Sequence, residues 1–144
     1  MARIKLSLPE NFPFSTQIPV RITDINYGNH LGNDAVLGIL HEARMQFLKA
    51  AGYSELNLGG VGLIMADVAI EFKAEAFYGD VLTAYLAAGE FTKIGFDIYY
   101  KLVKSEGETV VAMAKTSMVC FDYERRKVAA VPDVVRRNLM GENL

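Results

Sequence analysis

The chain has 144 residues, 51% of them hydrophobic, with a formal net charge of −2 and a pI near 5.7. That length fits one domain with its own core, since domains commonly run to about 100–150 residues, and the slightly acidic balance argues against binding nucleic acid or another polyanion. The one cysteine, Cys120, lies in an apolar run, which excludes an internal disulfide framework and CxxC metal or redox patterns and makes it a core or sheet residue.

Residues 1–14 carry Pro9 and Pro13 among mixed charges and read as an extended arm. They lack the apolar stretch of a signal peptide, and no window approaches 18 uncharged apolar residues, so a cytoplasmic protein is expected. A strand is expected over 17–24. It runs into a polar, turn-rich stretch, Arg21-Ile-Thr-Asp24-Ile-Asn26-Tyr-Gly28-Asn-His30-Leu-Gly32-Asn33-Asp34. A helix follows over 33–51, with an apolar stripe of Val36, Leu40, Ala43, Phe47 and Ala51. Asn33 and Asp34 are competent N-caps, Gly28 and Gly32 permit tight turns, and Gly52 is a stop signal. Gly38 inside the helix costs about 1 kcal/mol relative to Ala, which suggests that a sheet face packs closely on it.

After a Gly-rich loop over 57–62, the run 64–74 alternates, with Ile64, Ala66, Val68, Ile70, Phe72 and Ala74 on one face. Phe77-Tyr-Gly79-Asp80 turns into a third strand over 81–91, Thr92-Lys93-Ile94-Gly95 into a fourth over 96–104, and Ser105-Glu-Gly107-Glu into a fifth over 109–121. Pro132 and Asp133 open a short last helix to about 140. The expected class is α+β, a five-stranded antiparallel sheet with one long helix on one face. The second strand's other face mixes Met65 and Ala69 with charges, so a protein partner is expected there or along a strand edge, most simply a second copy.

The chain has no G-x-S-x-G elbow, Walker loop, HExxH or dinucleotide fingerprint. Gly59-Gly60-Val-Gly62 precedes a strand rather than a helix, the wrong order for phosphate binding. No cofactor is called for. His30 and His41 lie near Asp24, Asp34 and Glu42, but at no recognised metal-ligand spacing. What remains is the polar loop at a helix N-terminus, where free N–H groups and the positive dipole end stabilise carbonyl oxygens and developing oxyanions. In such a loop Asp24, Asn26 and His30 serve either as turn architecture or as chemistry, and Glu42 either as a solvated or as a site-facing carboxylate.

The pattern R-x-x-D-x-[D/N]-x-x-x-H-[V/L]-x-N before a helix, with His41-Glu-Ala-Arg44 inside that helix, resembles the 4-hydroxybenzoyl-CoA thioesterase branch of the hotdog-fold superfamily. Ile70-Glu-Phe-Lys73 leading to Tyr78-Gly-Asp80, and Val119-Cys-Phe-Asp122 followed by basic residues and Pro132, extend the resemblance over about 17–140. It implies a long helix wrapped by a curved sheet, dimers that join sheets edge to edge and can pair into tetramers, and an acyl-thioester pocket between subunits. In that branch the second Asp of D-x-D is the catalytic carboxylate. Here that position is Asn26, while Asp24 matches the first Asp, which looks structural in relatives.

Plant acyl-carrier-protein thioesterases, also hotdog proteins, place Asn and His in this loop with carboxylates nearby. The set implied here is therefore Asn26 and His30 with Glu42 or Asp34 as catalytic groups, and Asp24, Gly32, Asn33, Thr92 and Lys93 on the substrate, the last two toward CoA phosphates. The expected reaction is hydrolysis of an acyl-CoA or acyl-carrier-protein thioester. Two other readings stand beside it. The (R)-specific enoyl-CoA hydratases carry D-x-N-P-x-H, with Asp and His five apart, where this chain has Asp24 and His30 six apart and no proline; the other reading is a non-catalytic acyl-thioester binder.

Overall fold

The computed structural model describes residues 1–141. Its elements in chain order are β1 (Phe14–Pro19), a 3-10 turn (Ile22–Asp24), α1 (Asn33–Ala50), β2 (Gly62–Phe72), β3 (Val81–Gly89), β4 (Gly95–Lys104), β5 (Val110–Asp122), β6 (Lys127–Val128) and α2 (Asp133–Leu139). All strand pairs are antiparallel, in the order β1-β3-β4-β5-β2. Two-residue β6 adds a sixth strand beside the end of β5. The first strand starts and ends earlier than its alternation suggested. Pairing with β3 stops at Pro19, opposite Val81, and the chain turns at once, so Ile22–Asp24 forms the 3-10 turn rather than strand.

The core lies between α1 and the inner face of the sheet. Val36, Ile39, Leu40, Ala43, Phe47 and Leu48 of α1 are buried with Leu82, Ala84 and Leu86 of β3, Phe96, Ile98 and Leu102 of β4, and Ala112, Ala114 and Met118 of β5. Each fully buried side chain of Leu, Ile or Phe size contributes about 1.5–3 kcal/mol, so this layer carries most of the stability.

The alternation along β2 is broken by a bulge between Met65 and Asp67. Cross-strand partners share a face. Before the bulge, Leu63 and Met65 face inward opposite Cys120 and Met118; after it, Val68, Ile70 and Phe72 do, opposite Thr116, Ala114 and Ala112. Ile64, expected in the core, therefore sits on the outer face opposite Val119. The extra residue reverses the parity, a change that period-two reading cannot see. Because α1 packs over the β1 and β3 side of the sheet, inward-facing Met65, Val68 and Phe72 stay partly exposed, and among the described residues no strand lies beside the outer edge of β2.

Gly38 also departs from expectation. A Cβ built on it would meet nothing within 4 Å, and it lies in a cleft of 410 Å³ between α1 and the β1 end of the sheet. With open space and helical backbone, Gly38→Ala should raise stability by about 1 kcal/mol, read as a rise in the urea midpoint at unchanged m-value. A fall in the midpoint would show that something already fills that space.

Candidate active site

The loop between the 3-10 turn and α1 is held by its own polar groups. The Asp24 carboxylate accepts from the Arg21 backbone N–H at 2.9 Å and from its guanidinium at 3.2 and 3.3 Å, while the Asp24 carbonyl accepts the Gly32 N–H at 3.0 Å. Asp24 is buried. Its carboxylate is engaged in closing the turn, and it raises the Arg21 guanidinium above its ordinary value by hydrogen bond and charge.

Asn26 closes the next turn. Its side-chain oxygen accepts the Gly28 N–H at 2.9 Å, and its backbone N–H donates to the His30 carbonyl at 2.9 Å. The amide NH₂ of Asn26 remains available as a donor. His30 Nδ1 sits 3.2 Å from the Leu31 carbonyl, which fixes the proton on Nδ1 and leaves Nε2 as the lone-pair nitrogen of the neutral ring. Nε2 and the Asn26 side-chain oxygen flank the same point, each 3.3 Å from where a Gly28 Cβ would stand, and Glu75 approaches Nε2 at 3.9 Å.

Gly32, not Asn33 or Asp34, is the N-cap of α1, and no side chain caps the helix. The chain enters α1 through the bond from the Gly32 N–H to the Asp24 carbonyl, which places Asn33 and Asp34 already inside the first turn. The Leu31 and Gly32 N–H groups are spent on Ala76 and Asp24, and those of Ala35 and Val36 on Gly32. The Asn33 and Asp34 N–H groups have no partner among the described residues. The Asp34 carboxylate stands close to Gly32, 2.6 Å from its missing Cβ, with Asn26 Cβ 3.4 Å away from the same point. Asn26, His30, Gly32, Asn33 and Asp34 are thus brought together at one helix end. A cleft of 230 Å³ opens beside His30 and Asn33, walled by Val36, Phe72 and Val111, with Lys73 and Glu75 at its rim.

Two groups of the expected set lie elsewhere. Glu42 stands eight residues beyond Asp34, about 12 Å along the helix axis. It accepts a hydrogen bond from Gln46 at 2.8 Å and borders the separate cleft that holds Gly38 and Asp24. Thr92 and Lys93 occupy the β3–β4 hairpin, where the Thr92 hydroxyl accepts the Gly95 N–H at 3.1 Å and the Lys93 carbonyl accepts the Val131 N–H at 2.9 Å. That hairpin lies at the Ile64 end of β2, whereas the loop lies at its Phe72 end. Within one chain, β2 separates the two by its whole length.

Sequence reading missed a buried polar network. Arg44, on the sheet-facing side of α1, donates to Glu55 at 3.1 Å and to the Tyr100 hydroxyl at 3.2 Å; Tyr100 shares a 2.7 Å bond with Thr116, and His41 reaches Glu55 at 3.2 Å. Tyr100 and Thr116 are fully buried. Burial opposes the charge on Arg44, but the Tyr100 and Glu55 oxygens hold it above the ordinary guanidinium value, while burial pushes the Tyr100 phenol up. The signal was present in the spacing, since Arg44 stands four residues after Leu40 and three before Phe47, in the middle of the apolar face.

Cys120 is fully buried, and burial pushes its thiol up to about 11. The folded state binds this proton more tightly than the unfolded chain, so the contribution to stability is intact below the ordinary thiol value of 9.0 and declines as pH rises past it. Cys120 should not react with a thiol-specific reagent at pH 8 until denaturant is added. Rapid native-state modification would contradict the packing. Among the described residues, no three His, Cys, Asp or Glu side chains converge as metal ligands, and no helix is long and apolar enough to cross a membrane.

One long helix packed on an antiparallel sheet of order β1-β3-β4-β5-β2, with its uncapped N-terminus set in a polar loop, defines a hotdog-fold protein. The model of the thioesterase-like superfamily matches residues 20–139, and the chain belongs to that family. The Synechocystis 1,4-dihydroxy-2-naphthoyl-CoA thioesterase has a similar structure, with TM-score 0.82 and 24% identity over 91% of this chain and 98% of its own. A thioesterase-superfamily protein of Jannaschia gives TM-score 0.82 at 17% identity over 94% of this chain and 86% of its own. An Aquifex aeolicus protein whose name places it provisionally among the esterases is 28% identical over 96 residues, 65% of this chain and 72% of its own.

Proposed function

We propose that the protein hydrolyses the thioester of a compact acyl-CoA, or of an acyl group on a carrier protein, to free acid and thiol, and that it does so as a homodimer. The observation that carries this reading is the uncapped start of α1, where the Asn33 and Asp34 N–H groups are unpaired beside Asn26 and His30. Two such donors hold the thioester carbonyl oxygen and the oxyanion that forms on it. His30 Nε2 takes a proton from water as that water attacks the carbonyl carbon, and the Asn26 amide orients it. Collapse of the tetrahedral intermediate expels the thiolate, which takes up the proton. Asp34 stands at the same helix end beside Gly32, and Glu75 approaches Nε2 at 3.9 Å; Glu42 lies too far along α1 to serve in the same chain. The apolar walls of Val36, Phe72 and Val111 suit a small or aromatic acyl group, in line with the naphthoyl-CoA substrate in the name of the Synechocystis protein.

The dimer is supported by the open edge of β2 and by the exposure of Met65, Val68 and Phe72 beside it. Antiparallel pairing of β2 with β2 of a second copy sets the Phe72 end of one strand against the Gly62 end of the other. That brings Thr92 and Lys93 of one copy toward the loop of the other, where Lys93 would meet CoA phosphates.

The test is thiol release over a panel of saturated and aromatic acyl-CoA substrates, with sedimentation of the same sample. Thiol release by a dimer is expected. Hydration of an enoyl-CoA without thiol, or saturable binding without turnover, would overturn the hydrolase reading, and a monomer at micromolar concentration would remove the shared pocket. The hydratase reading loses its acid here, because the Asp24 carboxylate is buried and already engaged with Arg21.

A further inference from the structure

The N-terminal arm crosses the outer face of the whole sheet. From Phe14, paired with Leu86 on β3, it passes Phe12 against Tyr85, with ring centroids 6.0 Å apart, and then a groove over Lys101, Val103 and Val110. It reaches β2, where the Leu6 N–H donates to Glu71 at 2.9 Å. Four strand spacings from β1 to β2 amount to about 19 Å, which residues 6–14 cover when extended. By Leu6 the arm has therefore arrived at the open edge of the sheet. Residues 1–5 are exposed, and extended they span about 16 Å, or three further strands if the sheet continues.

The arm leaves at the Phe72 end of β2, which antiparallel pairing with a second copy sets against that copy's Gly62 end. Here the outer face is apolar. Ile64 lies opposite Val119, Gly62 opposite Phe121, and Phe121 packs edge-on to Tyr123 with centroids 5.2 Å apart. Ile64 and Tyr123 are 36% and 49% exposed, and Ile4 on the arm is 55% exposed.

We propose that residues 1–5 of each copy cross the seam and dock Ile4 on the partner's outer-face patch of Ile64, Val119, Phe121 and Tyr123, strapping the two sheets together. This rests on the dimer reading above. The two arms act reciprocally under the two-fold axis, so each interface carries the contact twice.

A variant with Ile4→Cys and Ile64→Cys, treated with a short bis-maleimide, tests it; native Cys120 is fully buried and does not compete. Within one chain Ile64 lies about 23 Å down β2 from Glu71, beyond the linker's reach of residue 4. A covalent dimer on a denaturing gel is the expected result. An intrachain link, or none in a sample that sediments as a dimer, overturns the strap and leaves the dimer standing; a monomer overturns both. Deleting residues 2–5 should weaken dimerisation about tenfold, and an unchanged dissociation constant would count against the contact.

Discussion

His30→Ala is expected to lower kcat for thioester hydrolysis by about 10²–10⁴-fold with little change in KM, the range for loss of a general base. The expectation follows from one bond. Because Nδ1 faces the Leu31 carbonyl, His30→Gln, which can donate there but offers no basic nitrogen, should be about as inactive as the alanine variant. Asn26→Ala should cost roughly 10²-fold in kcat, as removal of a positioned transition-state contact does. Asn26→Asp restores the carboxylate of the related branch at nearly the same volume and should keep or gain activity with a carboxylate-limited acid side. If Asn26→Ala and His30→Ala both retained full activity, the loop would be scaffold and the site assignment wrong.

Arg44→Ala is expected to destabilise the protein by about 3 kcal/mol or more, because it leaves a cavity against the sheet and strips Glu55 and Tyr100 of their shared cation. For a chain of this size that lowers Tm by about 10 °C. Tyr100 keeps its 2.7 Å bond to Thr116, so Tyr100→Phe should cost less, about 1–2 kcal/mol. The pair should be clearly non-additive, since both substitutions remove the same contact. Thermal unfolding of the two single variants and the double variant measures this. Additive losses would mean that Arg44 and Tyr100 do not act as one network.

The helix, most strand positions and the polar loop were legible because each leaves a local trace. The stripe from Val36 to Phe47 has the helical period, Gly79 and Gly107 stand at positive φ where turns were expected, and the loop gathers Asn and His before a helix start. Glu42 shows the limit of that reading. It is close to Asp34 in sequence, yet one chain places it about two turns away along the helix, tied to Gln46. Thr92 and Lys93 are likewise separated from the loop by the length of β2.

The sequence alone determined the class of the fold, the place of the helix N-terminus and the residue types around it, since these depend on periodicity, turn chemistry and neighbours in the chain. Tertiary structure decided what those side chains are free to do. It bound Asp24 into the turn with Arg21 and fixed the His30 proton on Nδ1. It made Gly32 the cap, so that the Asn33 and Asp34 N–H groups were left open. It reversed the faces of β2 with a one-residue bulge, and it brought Arg44 to Tyr100, 56 positions away, in the core. The loop contacts are local in the chain but depend on which of several donors and acceptors wins. The β2 faces and the Arg44 network depend on partners far apart in sequence, which period and composition do not encode.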